Sequence, residues 1–302
     1  MDAAPPTPTR DLPGRTVLVT GANAGIGYWC AEQLAARGAR VVLGCRSPER
    51  ASTAVSAIRG RVPEADLGVL ELDLGSLDSV SDAATRVDER LDAIICNAGV
   101  KAADRAARTS DGHDLMVGTN FLGHFALVAQ LESVLAPAAR VVAVGSIAHR
   151  FARLDPATLD EPWTGSSLQQ YGRSKASLMA FAFELARRWA GSSRSAVCAH
   201  PGYAVDPLTP PRPGLASVPG IVRALAAPTR LLVQGKDGGA LPIVHAATST
   251  EVVSGDYWGP GGLLEFRGAP ARVAASDEVR SSDVGAALWA AAERLTGVPF
   301  PT

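Results

Sequence analysis

The stretch Thr16-Val-Leu-Val-Thr-Gly-Ala-Asn-Ala-Gly-Ile-Gly27 decides how this chain is read. Its first five residues are apolar or β-branched, the pattern of a buried strand, and the rest carries glycines spaced Gly21-x-x-x-Gly25-x-Gly27. Tyr28 to Arg37 then reads as a helix closed by Gly38. Strand, glycine turn and helix in this order bring backbone N–H groups and the positive end of a helix dipole to one point, where a pyrophosphate can approach the bare backbone. Gly21, Asn23, Ala24, Gly25, Ile26 and Gly27 are therefore the candidate phosphate cradle. The spacing departs from Gly-x-Gly-x-x-Gly, and an ordinary tight turn is the competing reading.

The alternation continues outward. Arg40–Gly44, Leu67–Leu72 and Ala93–Cys96 read as strands, with helices at Pro48–Ile58 and Leu77–Leu91 between them. Strands alternating with helices predict an α/β fold: a single Rossmann-fold domain with a doubly wound, mostly parallel sheet of about seven strands and helices on both faces. Ligands of such sheets sit outside the carboxyl ends of the strands. There the second strand ends in Cys45-Arg46-Ser47. An acidic side chain at this place would bond a ribose 2′-hydroxyl and a basic one accommodates a 2′-phosphate, so Arg46, with Ser47 beside it, favours NADP(H) over NAD(H). A solvated surface arginine is the plainer alternative. The third strand ends in Asp73-Leu74, where the carboxylate either caps the next helix or accepts from an adenine amino group. The fourth ends in Asn97-Ala98-Gly99.

Asp111 to Leu135 reads as one long helix containing Asn120, a residue of poor helix propensity that needs a partner. A fifth strand, Arg140 to Ser146, delivers a hydroxyl to the same sheet edge, and residues 147–170 read as an irregular loop over a substrate pocket. Tyr171-x-x-x-Lys175 opens a helix that runs to about Ala190. Four residues apart on a helix, phenol and ammonium share a face, and the ammonium lowers a phenol pKa that is otherwise near ~10. The pair alone is common by chance. Ser195 to Ala199 forms a sixth strand leading to His200-Pro201-Gly202-Tyr203, and the proline-rich stretch 203–223 suits a mobile wall whose Leu208, Leu215, Val218 and Ile221 point to a hydrophobic substrate or simply pack the loop down. Asp237–Ala247 and Ser282–Leu295 read as helices, and Asp256–Trp258 as a short last strand.

Composition narrows the partners. Among 302 residues, 29 Lys+Arg stand against 30 Asp+Glu with no run of like charge, which argues for a small molecule rather than nucleic acid or an anionic membrane. Cys30, Cys45, Cys96 and Cys198 lie in or beside apolar segments without metal spacing, and the histidines show none either, so no metal site is expected. No segment approaches ~18 uninterrupted apolar residues, and buried reduced thiols fit a cytoplasmic protein. Residues 1–13 read as a flexible proline-rich leader and 14–302 as the folded domain. The helices around Asn120 and after Tyr171 leave monomer and homodimer open.

With Thr20-Gly21-x-x-x-Gly25-x-Gly27, Asn97-Ala98-Gly99, Asn120, Ser146, Tyr171-x-x-x-Lys175 and Pro201-Gly202 in order, the chain resembles the classical short-chain dehydrogenase/reductases. Cys45-Arg46, Leu122-Gly-His-Phe125, Ala148-His149, His200-Pro-Gly-Tyr203 and Asp256-Tyr-Trp-Gly-Pro260 look most like the retinol dehydrogenase and protochlorophyllide reductase-like branch. The resemblance implies an NADP(H)-dependent carbonyl or alcohol oxidoreductase. In it Tyr171 is the proton donor or acceptor, Ser146 polarises the substrate oxygen, Lys175 tunes Tyr171 and holds the nicotinamide ribose, and Asn120 anchors a water. The glycine turn would take the pyrophosphate, Arg46 the 2′-phosphate, Asp73 the adenine, Asn97 the adenosine ribose, and Pro201-Gly202 the nicotinamide. Two positions depart from the pattern: Cys96 stands for an asparagine, and Asp206 falls where relatives carry a threonine that bonds the carboxamide. Asp206 can accept from that amide but not donate to it. This keeps two alternatives in view, a redox-neutral cyclase or isomerase and a non-catalytic NADP-sensing protein.

Overall fold

The central strands alternate their side chains between two apolar clusters, and this alternation sets the layers. Leu18, Ile94, Val141 and Cys198 belong to one cluster; Val17, Val19, Ile95, Val142 and Val197 belong to the other. The computed structural model describes residues 10–102, 104–161 and 163–301. Its strands are β1 (Thr16–Thr20), β2 (Arg40–Cys45), β3 (Leu67–Glu71), β4 (Leu91–Cys96), β5 (Leu135–Val144), β6 (Ser195–Ala199), β7 (Tyr257–Pro260) and β8 (Pro270–Arg272). They form one sheet in the order β3-β2-β1-β4-β5-β6-β7-β8, parallel except for the antiparallel β8. Helices α1 (Gly25–Ala36) and α2 (Pro48–Arg59) and the later α8 (Lys236–Thr248) cover one face. The other face carries α3 (Leu77–Thr85), the broken helix α4 (Leu115–Val117) and α5 (Gly123–Gln130), α6 (Ser167–Arg188) and α10 (Ser282–Thr296). Short helices α7 (Gly220–Ala226) and α9 (Asp277–Arg280) lie in the connections. Strand order reverses about β1, so the carboxyl ends of β1 and β4 open the crevice where such folds bind ligands.

Several boundaries differ from the sequence expectation. The helix expected to reach Leu91 stops at Thr85, because Leu91 is already in β4 and Glu89 is held by Arg40 at 2.6 Å. The helix expected from Asp111 to Leu135 begins only at Leu115, where Asp114 Oδ1 accepts from the N–H groups of Met116 and Val117; Asp111 instead caps α3 by accepting from Leu77 N. Leu135 opens β5. Helix α6 starts one turn before Tyr171, fixed by a capping box between Ser166 and Gln169. The loop at 147–170 holds a 3-10 turn, Ile147–Phe151, and the 203–223 stretch runs into α7.

Most of the expected leader, residues 1–9, lies outside the described residues. Its end packs, which moves the domain start earlier than residue 14. Leu12 is 6% exposed within the α1–α2 cluster and its N–H donates to Arg37 O, while Asp11 pairs with Arg37 and Arg10 with Glu64. At the other end, Trp289 of α10 and Phe300 close over Phe125 and Phe181, with ring centroids 4.6–5.7 Å apart for the pairs involving Phe125 or Phe300 with Trp289 and Phe125 with Phe300. That part of α5 and α6, offered by the sequence as a dimer face, is filled by the chain's own C-terminal segment. Among the described residues no helix is long and apolar enough to cross a membrane, and no cluster of His, Cys, Asp and Glu could hold a metal.

Leu12→Ala should lower the unfolding free energy by about 2–5 kcal/mol, the range for a buried leucine. Urea denaturation measures this, and an unchanged midpoint would return Leu12 to the leader.

Candidate active site

The glycine turn comes first because its backbone is possible only without side chains. Gly21 and Gly25 have φ of +66° and +59°. A Cβ on Gly27 would overlap Asn97 Nδ2 and Gly21 O, whereas one on Gly25 would meet nothing within 4 Å. One glycine lets α1 close on β1 and the other faces open space, the division of labour a phosphate cradle needs. Helix α1 starts at Gly25, one turn earlier than expected, and its N-cap Ala24 offers no side-chain cap, nor is there an acid in the first turn. Its leading N–H groups are thus left for a ligand anion.

The turn opens into a groove of about 720 Å³ that also borders Arg46, Asp73, Leu74, Asn97 and Gly99. Arg46 reaches out with 74% of its side chain exposed and lies 3.8 Å from Asp73 Oδ2. Asp73 Oδ1 accepts from Gly75 N at 2.9 Å, so the carboxylate serves the turn while bordering the groove. Ser47 caps α2 by accepting from Arg50 N at 3.3 Å and gives its proton to Glu49. Asn97 donates through Nδ2 to Thr20 O at 2.8 Å, bracing the glycine turn from β4. The groove has the open backbone, the basic rim and the polar lining that a dinucleotide requires, so the residues present fit one.

On the far side of β4 four side chains converge. Asn120 sits in a π-helical turn, Gly118–Leu122, between α4 and α5, a distortion that frees main-chain groups inside a helix. Its Oδ1 accepts from Val100 N at 2.7 Å, and its Nδ2 donates to Val100 O at 3.1 Å and to Ser174 Oγ at 2.8 Å. Ser174 Oγ donates to Tyr171 O at 2.8 Å, tying Asn120 to α6. A Cβ on Gly99 would lie 3.2 Å from both Asn120 Oδ1 and Lys175 Nζ, so the three residues meet at the end of β4. Ser146 follows β5, caps the 3-10 turn through Ala148 N, and holds His149 Nδ1 at 2.7 Å with its carbonyl.

Lys175 is 3% exposed and donates to Val144 O at 3.0 Å. Burial lowers its pKa to about 8. Burial also pushes the Tyr171 phenol up, with the Ser146 side chain acting in the opposite sense. This corrects the expectation that Lys175 pulls the phenol down: its ammonium is turned to the carbonyl at the end of β5, and desolvation dominates at both groups. Pro201-Gly202 closes β6 with Gly202 at φ +66°, its N–H bonded to His200 Nδ1 at 3.1 Å. Asp206 does not stand free, since Lys236 Nζ lies 2.5 Å from its Oδ1, and Thr209 is spent on Val205 O and Lys236 N. Of the loop's apolar residues, Leu208 is buried, Leu215 packs on the core and Ile221 is exposed.

Sequence reasoning passed over Arg50, Lys101 and Lys236. Arg50 borders the groove from the first turn of α2, four residues after Arg46 and so close to it in the chain. Lys101 Nζ stands 6.0 Å from the Tyr171 ring centroid, and only the fold brings the two together.

A family profile described as short chain dehydrogenase matches residues 15–211. Human retinol dehydrogenase 13 is 33% identical over 305 residues, covering 96% of this chain and 87% of its own. The solved structure of an uncharacterized protein from Mycobacterium paratuberculosis is 34% identical with a TM-score of 0.78 and covers 97% of this chain and 99% of that one. A short chain dehydrogenase from Burkholderia cenocepacia, solved in complex with NADP, is 25% identical with a TM-score of 0.61 and covers 82% of this chain and 96% of its own.

The depressed Lys175 has a measurable consequence. The unfolded chain keeps the lysine proton up to its ordinary pKa and the folded chain only to about 8, so unfolding takes up a proton between these values and stability rises with pH there. Wild type should therefore gain about 2 kcal/mol relative to Lys175→Met between pH 7 and 10 in urea titrations. A flat difference would mean that Lys175 is not desolvated.

Proposed function

The chain belongs to the short-chain dehydrogenase family, and from that premise we propose that it is an NADP(H)-dependent oxidoreductase interconverting a carbonyl and an alcohol on a hydrophobic small molecule. The observation that carries this reading is the meeting of Asn120 and Lys175 at the end of β4 and of Tyr171 with the Ser146 side chain after β5, beside a groove framed by the glycine turn and Arg46. When bound, the nicotinamide supplies or takes the hydride. The chain's own residues handle the oxygen and its proton. Tyr171, held protonated by burial, donates to the substrate oxygen in reduction, and the Ser146 hydroxyl hydrogen-bonds to the same oxygen as negative charge develops there. Lys175 and Asn120 stand behind the phenol as proton store and scaffold.

Arg46, with Arg50 in the first turn of α2, supplies the positive charge that suits a 2′-phosphate, which favours NADP(H) over NAD(H). A hydrophobic substrate is favoured by exposed apolar side chains on the segments that carry the reacting groups. Phe151 ends the turn begun at Ser146, Leu168 precedes Tyr171 on α6, and Tyr203 follows Gly202; they are 65%, 50% and 55% exposed. Large apolar side chains left open around a polar centre are what an apolar ligand would cover.

Tyr171→Phe should cut turnover of a hydrophobic ketone with NADPH by at least about a thousandfold while leaving NADPH binding within twofold. Arg46→Ala should weaken NADPH by about tenfold and leave NADH unchanged, because only the former carries the 2′-phosphate. Cofactor fluorescence titration and steady-state kinetics read both, and an active Phe variant would sink the assignment of the proton donor.

A further inference from the structure

We propose that Lys236 is a second anchor for the pyrophosphate of the dinucleotide and that Asp206 restrains it, so that this ion pair sets how tightly the cofactor is held. The inference rests on the dinucleotide reading of the groove and adds a side-chain charge to a site so far built of backbone. Lys236 is the first residue of α8, on the opposite side of the crevice from the glycine turn in sequence, yet it borders the same space. It lines the 720 Å³ groove together with Asn23, Ala24 and Gly25, and lines with the same three residues an adjoining cavity of about 410 Å³ that Asp206 also borders. Lys236 therefore stands at the junction of the two spaces, beside the turn whose N–H groups are left without a cap.

A lysine in the first turn of a helix lies at the positive end of the dipole, where a cation is disfavoured. Here it is stationed there by its neighbours: Lys236 N donates to Thr209 Oγ1 at 2.9 Å, and Nζ reaches Asp206 Oδ1 at 2.5 Å. Asp206 is its sole ion-pair partner among the described residues, and the pair is partly solvated, with side-chain exposures of 24% for Lys236 and 57% for Asp206. A pair in that setting holds little free energy and yields readily to a stronger anion. An ammonium has three donors, so Lys236 can keep Asp206 and still bond a phosphate oxygen. Asp206 acts in two ways: it holds the ammonium in place, and it sets a negative charge beside two others. The second effect is the larger once the dinucleotide is bound, because the cradle then fixes the phosphates and Thr209 continues to fix the helix start.

Three probes locate the contact. NADPH and NADH share the pyrophosphate and differ in the 2′-phosphate; ADP-ribose keeps the pyrophosphate and lacks the nicotinamide. Lys236→Met should weaken all three by a similar factor of about ten, Lys236→Arg should restore most of it, and Asp206→Asn should tighten all three several-fold. Unfolding midpoints of the ligand-free variants confirm that each is folded before its affinity is compared. Unchanged affinities in Lys236→Met overturn the proposal. So does a loss confined to NADPH, which would put the ammonium at the 2′-phosphate, or a loss spared by ADP-ribose, which would put it at the nicotinamide. Weaker binding in Asp206→Asn overturns the restraining role. Wild-type protein that binds none of the three refutes the dinucleotide reading itself, a result distinct from any pattern among the variants.

Discussion

One hydroxyl holds the crevice together. Thr20 Oγ1, at the end of β1, accepts from the N–H groups of Asn97 and Ala98 at 2.9 Å each, which fills both of its lone pairs. Its proton then goes to His124 Nε2 at 2.9 Å or Ile95 O at 3.2 Å. His124 Nδ1 lies 3.0 Å from Asn120 O, a carbonyl that can only accept, so Nδ1 carries the imidazole proton and Nε2 is the acceptor for Thr20. The ring is fully buried and its pKa is lowered to about 3, which keeps it neutral. Through two side chains the glycine turn, the turn after β4 and the distorted helix at Asn120 are fixed to one another. The groove and the cluster around Asn120 therefore share a wall.

That shared wall explains why the site needs irregular backbone at so many points. Gly27 lets α1 lie against Asn97, Gly99 leaves room where Asn120 and Lys175 meet, and the π-helical turn presents Asn120 O to His124 and its carboxamide to Val100 and Ser174. A regular helix through Asn120 would place the same side chain in a different direction. Both N–H donors of the Asn120 amide are engaged and its oxygen accepts from Val100 N, which makes it a rigid post rather than an adaptable contact.

The sequence showed most of the scaffold because its signals are local. Thr16–Thr20 and Ser195–Ala199 appear at the expected residues, and Tyr171 and Lys175 share a helix face whatever the exact start of α6. Boundaries failed where a capping group or a strand start outcompeted periodicity, as at Asp114, Ser166 and Leu91. β8 was missed because Pro270-Ala-Arg272 has no strand pattern of its own and exists only as a partner for β7. Leu12 failed for the same kind of reason: a single leucine among prolines is buried by α1, not by its neighbours. Asp206 was read against the position where relatives carry threonine, and its actual partner lies thirty residues on, beyond any local pattern.

The two titratable groups at the centre carry an argument that pair spacing alone could not. In water a phenol and an alkylammonium lose their protons at nearly the same pH. Burial drives them apart in opposite directions, since it disfavours the anion of Tyr171 and the cation of Lys175 alike. With Lys175 at about 8 and Tyr171 above its ordinary value, the ammonium is the stronger acid of the two. Lys175 Nζ is bonded to Val144 O at 3.0 Å, so what the two groups share is the buried setting rather than a hydrogen bond described between them. The spacing along α6 puts the two residues on one face, and burial, not that spacing, sets the order of their acidities.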